Sequence, residues 1–176
     1  MKIALYLGSF NPFHNGHLEC IKCALDDFKM DKVVIVPTMQ NPWKKEKVLD
    51  IDERSDIIVR TLLYNYFKHE GPVHINLIEK ELIPPYYSYA TLHALKNKYC
   101  NDEVFVLCGE DTIKDIPNWM HGGVILQDYN FLIVDRPENS ISSTKIRELV
   151  RNKEDISNYV NVNVINLIKN YYEKRI

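Results

Sequence analysis

The sequence predicts an α/β fold, a doubly wound parallel sheet of about five strands with C-terminal helices. Three observations carry this. Residues 33–36 (Val-Val-Ile-Val) and 104–108 (Val-Phe-Val-Leu-Cys) are apolar at every position, as strands covered on both faces are. Such runs alternate with longer segments whose apolar residues recur at helical spacing. The strand ends are punctuated by Gly8, Pro37, Gly109 and Asp135-Arg136-Pro137, at the junctions where open parallel sheets place their ligands.

The first strand is Ile3-Ala4-Leu5-Tyr6-Leu7. Beyond Gly8-Ser9-Phe10-Asn11-Pro12-Phe13-His14-Asn15-Gly16-His17 a helix follows, with Leu18, Ile21, Cys23, Ala24 and Leu25 at helical spacing. The second strand, 33–36, then completes a right-handed crossover unit. Residues 38–50, centred on Asn41-Pro42-Trp43-Lys44-Lys45-Glu46-Lys47, read as a polar, basic loop. Asp52 is predicted to cap a helix over 53–63. Residues 73–77 alternate as a third strand, and Pro84-Pro85 argues against helix from 79 to 87.

Ser88 is predicted to cap a helix running to about residue 99. The fourth strand, 104–108, stops at Gly109-Glu110-Asp111. A short helix over 112–116, then Pro117-Asn118-Trp119 and a segment near 122–127, lead to the fifth strand, 131–134. Ser142-Ser143-Thr144 opens a helix from 145 to 151. Residues 162–174 form an amphipathic helix with Val164, Leu167, Ile168 and Tyr171 on one side. No repeat interrupts this order, and residues 1–176 read as one Rossmann-like domain. The first motif, the basic loop, Gly109-Glu110-Asp111 and Arg136 should converge on one face.

Composition narrows the function classes. A hydrophobic share of 45% belongs to a globular chain rather than a disordered one. A formal net charge of −2 gives no general affinity for nucleic acid, so cations used on phosphates must be local. No apolar run approaches the ~18 residues of a membrane span, and no signal peptide is expected ahead of the first strand. These readings point to a cytoplasmic protein with no membrane or nucleic-acid partner, and leave homo-oligomer formation open. Cys20 and Cys23 form a CxxC, yet Cys100 and Cys108 do not supply the second half of a zinc site. Inside a helix the pair reads as reduced thiols in or near the core, and no protein-held metal is expected.

The chemistry sits in the first motif. His14 and His17 are three apart at a helix start, so they share a face and can reach one ligand. Gly8 and Gly16 permit close approach, and Pro12 stiffens the turn. Two imidazoles beside free helix N–H groups suit a phosphate gaining negative charge in its transition state. Near the other end, Ser142, Ser143 and Thr144 offer hydroxyls at a second helix start, with Arg147 one turn on. No cysteine or serine of the motif region is paired with an obvious base, so a covalent route is not indicated.

GSFNPFHNGH resembles the GxFxPxHxGH signature of the nucleotidylyltransferase superfamily, and Ile141-Ser142-Ser143-Thr144-Lys145-Ile146-Arg147 resembles the ISSTxIR form of pyridine-nucleotide adenylyltransferases. Pro42-Trp43-Lys44 is similar to the basic loop of bacterial nicotinate-nucleotide adenylyltransferases, and Arg54 to the residue opening their next helix. Residues 85–91 (Pro-Tyr-Tyr-Ser-Tyr-Ala-Thr) resemble their PSYTxDT segment, and Gly109-Glu110-Asp111 followed by Trp119 their GxD-x7-W. The resemblance runs from Ile3 to the C-terminal helix.

It implies transfer of AMP from ATP to nicotinate mononucleotide, with pyrophosphate released. Mg²⁺ would bridge ATP oxygens rather than occupy a protein cage. By resemblance, His14, His17, Lys44 (or Lys45) and Arg147 would be catalytic. ATP would be bound by Gly8, Ser9, Phe10, His14, Gly16, His17, Gly109, Asp111, Ser142, Ser143, Thr144 and Arg147. The pyridine mononucleotide would meet Ser9, Phe10, Lys44, Tyr87, Ser88, Thr91 and Trp119, the indole stacking on the ring. The chain departs from the pattern at Ser88 and Ala90, where the family has threonine and aspartate, and only Glu138-Asn139-Ser140 separates Pro137 from the second motif. A nicotinamide mononucleotide or dual-specificity enzyme is the alternative. A nucleotide-binding regulatory protein without turnover is the reading from a different class.

Overall fold

The computed structural model describes residues 1–39, 49–63, 71–135 and 141–174. Five strands, β1 (Lys2–Gly8), β2 (Lys32–Pro37), β3 (Val73–Ile75), β4 (Glu103–Gly109) and β5 (Asn130–Val134), form one sheet in the order β3-β2-β1-β4-β5. All four pairings are parallel. The chain steps outward from β1 to β3, returns to pair β4 with β1, and steps outward again. The switch point is therefore between β1 and β4, where a parallel sheet opens a crevice at its carboxyl edge. Gly8 is level with Pro37 and Gly109 with Val134, so those ends form a common rim. The Rossmann-like expectation is borne out.

Alternation along the strands explains the two layers. Ala4 and Tyr6 of β1, with Val33 and Ile35 of β2, bury one face under α1 (Asn15–Asp26), α2 (Ile51–Leu62), α6 (Ser143–Arg151) and α7 (Ile165–Glu173). Ile3 and Leu5, with Val34 and Val36, bury the other under α3 (Ser88–Lys98) and α5 (Gly122–Asp128), through Leu92, Leu95 and Ile125. Each central strand is covered on both sides, as its unbroken apolar run requires. No helix among the described residues is long and apolar enough to cross a membrane.

Helix starts depart from expectation in instructive ways. Asp52 is not the cap of α2. Asp50 is, its carboxylate accepting from Asp52 N at 2.8 Å while Glu53 Oε2 accepts from Asp50 N at 2.9 Å. That reciprocal capping box satisfies two helix-end donors, which a start two residues later would forgo. Ser88 likewise lies inside α3, whose N-cap is Tyr87. A 3₁₀ turn over Ile78–Glu81 precedes the proline pair where no helix was expected, because the prolines lie beyond its last hydrogen bond. The helix after β4 begins two residues early, as α4 (Glu110–Asp115), and runs into a 3₁₀ turn over Ile116–Asn118. The C-terminal helix splits into a 3₁₀ turn, Val162–Val164, and α7.

Gly122 shows how tightly the segment after Trp119 is folded: a Cβ there would lie 1.9 Å from the Ile116 carbonyl oxygen. Gly123, its neighbour in α5, faces open space. Gly122→Ala should therefore lose about 2 kcal/mol or more of unfolding free energy through backbone displacement. Gly123→Ala should gain roughly 0.5–1 kcal/mol by lowering unfolded-chain entropy. Urea titration of both variants checks the contrast, and equal effects would contradict it.

Candidate active site

The turn after β1 is built on a buried aromatic floor. Phe10 adopts a left-handed φ of 48°. Its ring turns back under Gly8, where a Cβ would come within 2.9 Å of it. It packs on Tyr6 at 5.2 Å, His17 at 5.0 Å and Phe13 at 5.7 Å between centroids. Only a residue without a side chain fits above that ring, which gives Gly8 its reason. Phe10 is buried, as are His14 and His17, and its ring forms the floor of the turn on which the two imidazoles stand.

His14 is the N-cap of α1 and His17 is its third residue. The rings stack at 3.7 Å, as the shared-face reading requires. His14 N donates to His17 Nδ1 at 3.1 Å. Accepting at Nδ1 puts the ring proton on Nε2, so His17 is a donor on its other edge. Gly16 lies between them, in the first turn of α1.

Beneath this turn lies a side chain with no exposed surface, Arg54 of α2. Its Nη1 donates to Ser9 O at 2.6 Å, Nη2 to Met39 O at 3.2 Å and Nε to Leu49 O at 2.8 Å. Glu79, also fully buried, accepts from Met39 N at 2.6 Å and from the Thr91 hydroxyl at 2.7 Å. Burial pushes the Glu79 carboxyl above its ordinary range, against the pull of those hydrogen bonds and of Arg54. Burial also lowers Arg54 from its ordinary value, although a guanidinium stays charged throughout the useful pH range.

The second motif meets the first directly. Ser142 caps α6, accepting from Lys145 N at 3.2 Å. Ser143 Oγ donates to Pro12 O at 2.9 Å, and Arg147 Nη1 donates to Asn11 O at 2.8 Å, with Nη2 on Thr144 Oγ1 at 3.2 Å. Asn11 Oδ1 accepts from Leu49 N at 3.1 Å and from the Tyr172 hydroxyl of α7 at 2.6 Å. The two helix starts expected to hold phosphates are thus joined side by side.

On the other side of Gly8 a cleft opens at the sheet rim, lined by Leu7, Gly8, Ser9, Thr38, Tyr86, Tyr87, Ser88, Thr112, Trp119 and Met120. Of the expected mononucleotide residues, Ser9, Tyr87, Ser88 and Trp119 line it. The Trp119 indole N–H donates to Asp115 Oδ2 at 2.9 Å, which orients the ring. Thr91 is not among the residues lining the cleft: it has no exposed surface, and its hydroxyl donates to Glu79 Oε1. Gly109 caps α4 and is buried, while Asp111 is exposed in the first turn of that helix. Lys44, with the rest of the basic loop, lies outside the described residues, as do Arg136 and residues 138–140.

Sequence reasoning missed Thr38, Tyr86, Thr112 and Met120 on the cleft wall, Glu79 behind it, and Asn11 and Tyr172 on the phosphate side. A polar Asn11 inside an aromatic motif was the one readable signal. The described cysteines are free, and Cys20 is buried. No group of three or more His, Cys, Asp or Glu is placed to hold a metal among the described residues.

A family model described as cytidylyltransferase-like matches residues 5–149. A relative named probable nicotinate-nucleotide adenylyltransferase from Fusobacterium nucleatum is 34% identical, over 98% of this chain and 99% of its own. One of the same name from Flavobacterium johnsoniae is 31% identical over 99% and 100%. A solved chain from Vibrio parahaemolyticus superposes with a TM-score of 0.79 at 21% identity, covering 98% of this chain and 96% of its own. The Plasmodium falciparum nicotinic acid mononucleotide adenylyltransferase, solved with NaAD, gives 0.76 at 18%, covering 98% and 97%. The structural likenesses show a common fold.

Glu79 yields a pH test. Its folded value is raised, so its contribution to stability is complete below the ordinary glutamate value and is lost as pH rises through the folded value. Glu79→Gln cannot ionise and keeps an acceptor for Met39 N and a donor for Thr91. The melting temperature of Glu79→Gln relative to wild type should therefore rise with pH across that window. Parallel melting curves at every pH would remove Glu79 as a buried ionised carboxylate.

Proposed function

The chain belongs to the cytidylyltransferase-like family and within it to the nicotinate-nucleotide adenylyltransferases, and from that membership we propose how its residues divide the reaction. The enzyme transfers AMP from ATP to nicotinate mononucleotide, giving deamido-NAD and pyrophosphate. The observation that carries the reading is the junction at Gly8. On one side lie the two helix starts with His14, His17, Ser142–Thr144 and Arg147; on the other lies the aromatic cleft.

The acceptor phosphate attacks the α-phosphorus of ATP in line. That phosphate is anionic near neutral pH, so positioning and charge stabilisation dominate over proton abstraction. The backbone N–H groups of Gly8 and Ser9 cradle the acceptor phosphate where the cleft meets the turn. His17 serves the α- and β-phosphates through its Nε2 proton, with the stacked His14 beside it. Ser142, Thr144 and the N-terminus of α6 face the triphosphate, with Gly16 leaving room at α1. The Arg147 guanidinium keeps Asn11 O with one edge while its charge offsets the departing pyrophosphate.

Gly109 and Asp111 stand at the rim beyond β4, the carboxylate in reach of nucleotide hydroxyls. Lys44 supplies charge from the basic loop. Ser9, Tyr87, Ser88 and Trp119 hold the mononucleotide, Trp119 offering its face to the pyridine ring. A divalent ion would enter with ATP and offset phosphate charge at the helix starts. Mg²⁺ would suit that role, since it prefers oxygen ligands and needs no all-protein cage. The acceptor is a small molecule, and the proposed location is the cytoplasm.

Pyrophosphate release from ATP with nicotinate mononucleotide is the primary test, and release only with nicotinamide mononucleotide would transfer the enzyme to the alternative acceptor. His17→Ala should lower turnover on the order of a hundredfold, the effect of removing one transition-state donor. A folded His17→Ala enzyme with normal turnover would overturn that role. Trp119→Ala should raise the KM for mononucleotide well above any change in the KM for ATP, and equal changes would take the indole out of the acceptor site.

A further inference from the structure

We propose that Thr91, Glu79 and Arg54 are positioning residues for the acceptor, a buried relay that sets the walls of the cleft without touching what it binds. This rests on the acceptor reading above. None of the three lines the cleft. All three have no exposed surface. Yet the relay reaches the wall at three places, ending on Tyr87, next to Thr38 and on Ser9.

The relay reads in one direction. Thr91 sits one turn into α3, its N–H donating to Tyr87 O at 3.2 Å, and Tyr87 and Ser88 form the cleft wall at that helix start. The Thr91 hydroxyl donates to Glu79 Oε1. Glu79 Oε2 accepts from Met39 N, next in sequence to the wall residue Thr38. The Met39 carbonyl accepts from Arg54 Nη2, and Arg54 Nη1 reaches Ser9 O, on the wall again. Three walls that come from α3, the end of β2 and the end of β1 are therefore held by one chain of bonds. Met39 joins the two buried charges through its own peptide groups, one donor and one acceptor. Among the described residues that chain runs beneath the acceptor cleft, whereas His14 and His17 are held by their own stacking and backbone bond.

A side chain that merely stabilises the fold changes how much enzyme is active. A positioning relay changes how well one substrate is seated. The test is steady-state kinetics on folded Thr91→Val and Thr91→Ser, with nicotinate mononucleotide and ATP varied separately. Thr91→Val keeps the shape and removes the donor to Glu79; Thr91→Ser keeps the donor. Thr91→Val should raise the mononucleotide KM roughly tenfold while the ATP KM stays within about twofold, and Thr91→Ser should restore wild-type values.

Should Thr91→Val fail to fold, Arg54→Lys carries the same test, because one ammonium cannot span Ser9 and Met39 as the fork does. It should show the same split between substrates. Unchanged KM values, equal shifts in both, or a Thr91→Ser enzyme as impaired as Thr91→Val would overturn the relay. Wild-type enzyme that neither turns over nor binds nicotinate mononucleotide would sink the acceptor reading and the relay with it. Wild-type turnover with unaltered variants would sink the relay alone.

Discussion

A guanidinium with no exposed surface holds the rim of this protein together. Among the described residues, the carboxyl ends of β1 and β2 and the entry to α2 each present a carbonyl outside the sheet and helix ladders, at Ser9, Met39 and Leu49. Left buried and unpaired, such groups would each cost on the order of 1–3 kcal/mol. Arg54 answers all three from one planar fork, which no other side chain could do from a single position on α2. Its own desolvation is the counter-cost, and the other buried charge, Glu79, lies on the far side of the Met39 peptide. At Ser9, the acceptor-side edge of the turn after β1 is thus tied to a residue about 45 positions away in sequence, through an electrostatic solution to a backbone problem.

A second set of bonds gathers the phosphate side. Asn11 uses its side-chain oxygen on Leu49 N and the Tyr172 hydroxyl, and its main-chain oxygen on Arg147. Ser143 closes on Pro12 O. In this way α6 and α7 are anchored to the turn after β1, although they come last in the chain. The two networks share Leu49, whose N–H goes to Asn11 and whose carbonyl goes to Arg54. Acceptor side and phosphate side are consequently parts of one polar scaffold, which suits a reaction that must bring two substrates into line.

Much of the fold was readable because unbroken apolar strands and periodic helices leave few alternatives. All five strands were found, with errors of a residue or two at their ends. Helix caps were less legible. Asp50 and Asp52 are chemically the same, and only the presence of Glu53 three residues after Asp50 separates them. Motif matching located Gly8, His14, His17 and Trp119, but it could not distinguish a side chain that faces ligand from one that faces the core. Phe10 and Thr91 sit inside the signatures and point inward. Arg54 and Glu79 were harder still, since a charged residue on a helix or in a turn is solvated by default. Their burial follows from where the β1 and β2 ends meet, and that is a property of the assembled sheet.

The departure at Ala90 bears on the acceptor. With Tyr87 as N-cap, Ser88 and Ala90 are the first and third residues of α3, and no acidic side chain lies in its first turn. An aspartate at position 90 would place a carboxylate in the first turn of the helix, compensating its positive end. Alanine adds no such charge, and Tyr87 and Ser88, at that helix start, line the cleft. The loss of the aspartate therefore makes the wall more favourable to a negatively charged ring substituent than to a neutral amide. It supports nicotinate over nicotinamide, and it does so while every cleft-lining residue named here is uncharged. Preference for the acid in this chain would then come from backbone dipoles at a helix start rather than from a cationic side chain on that wall.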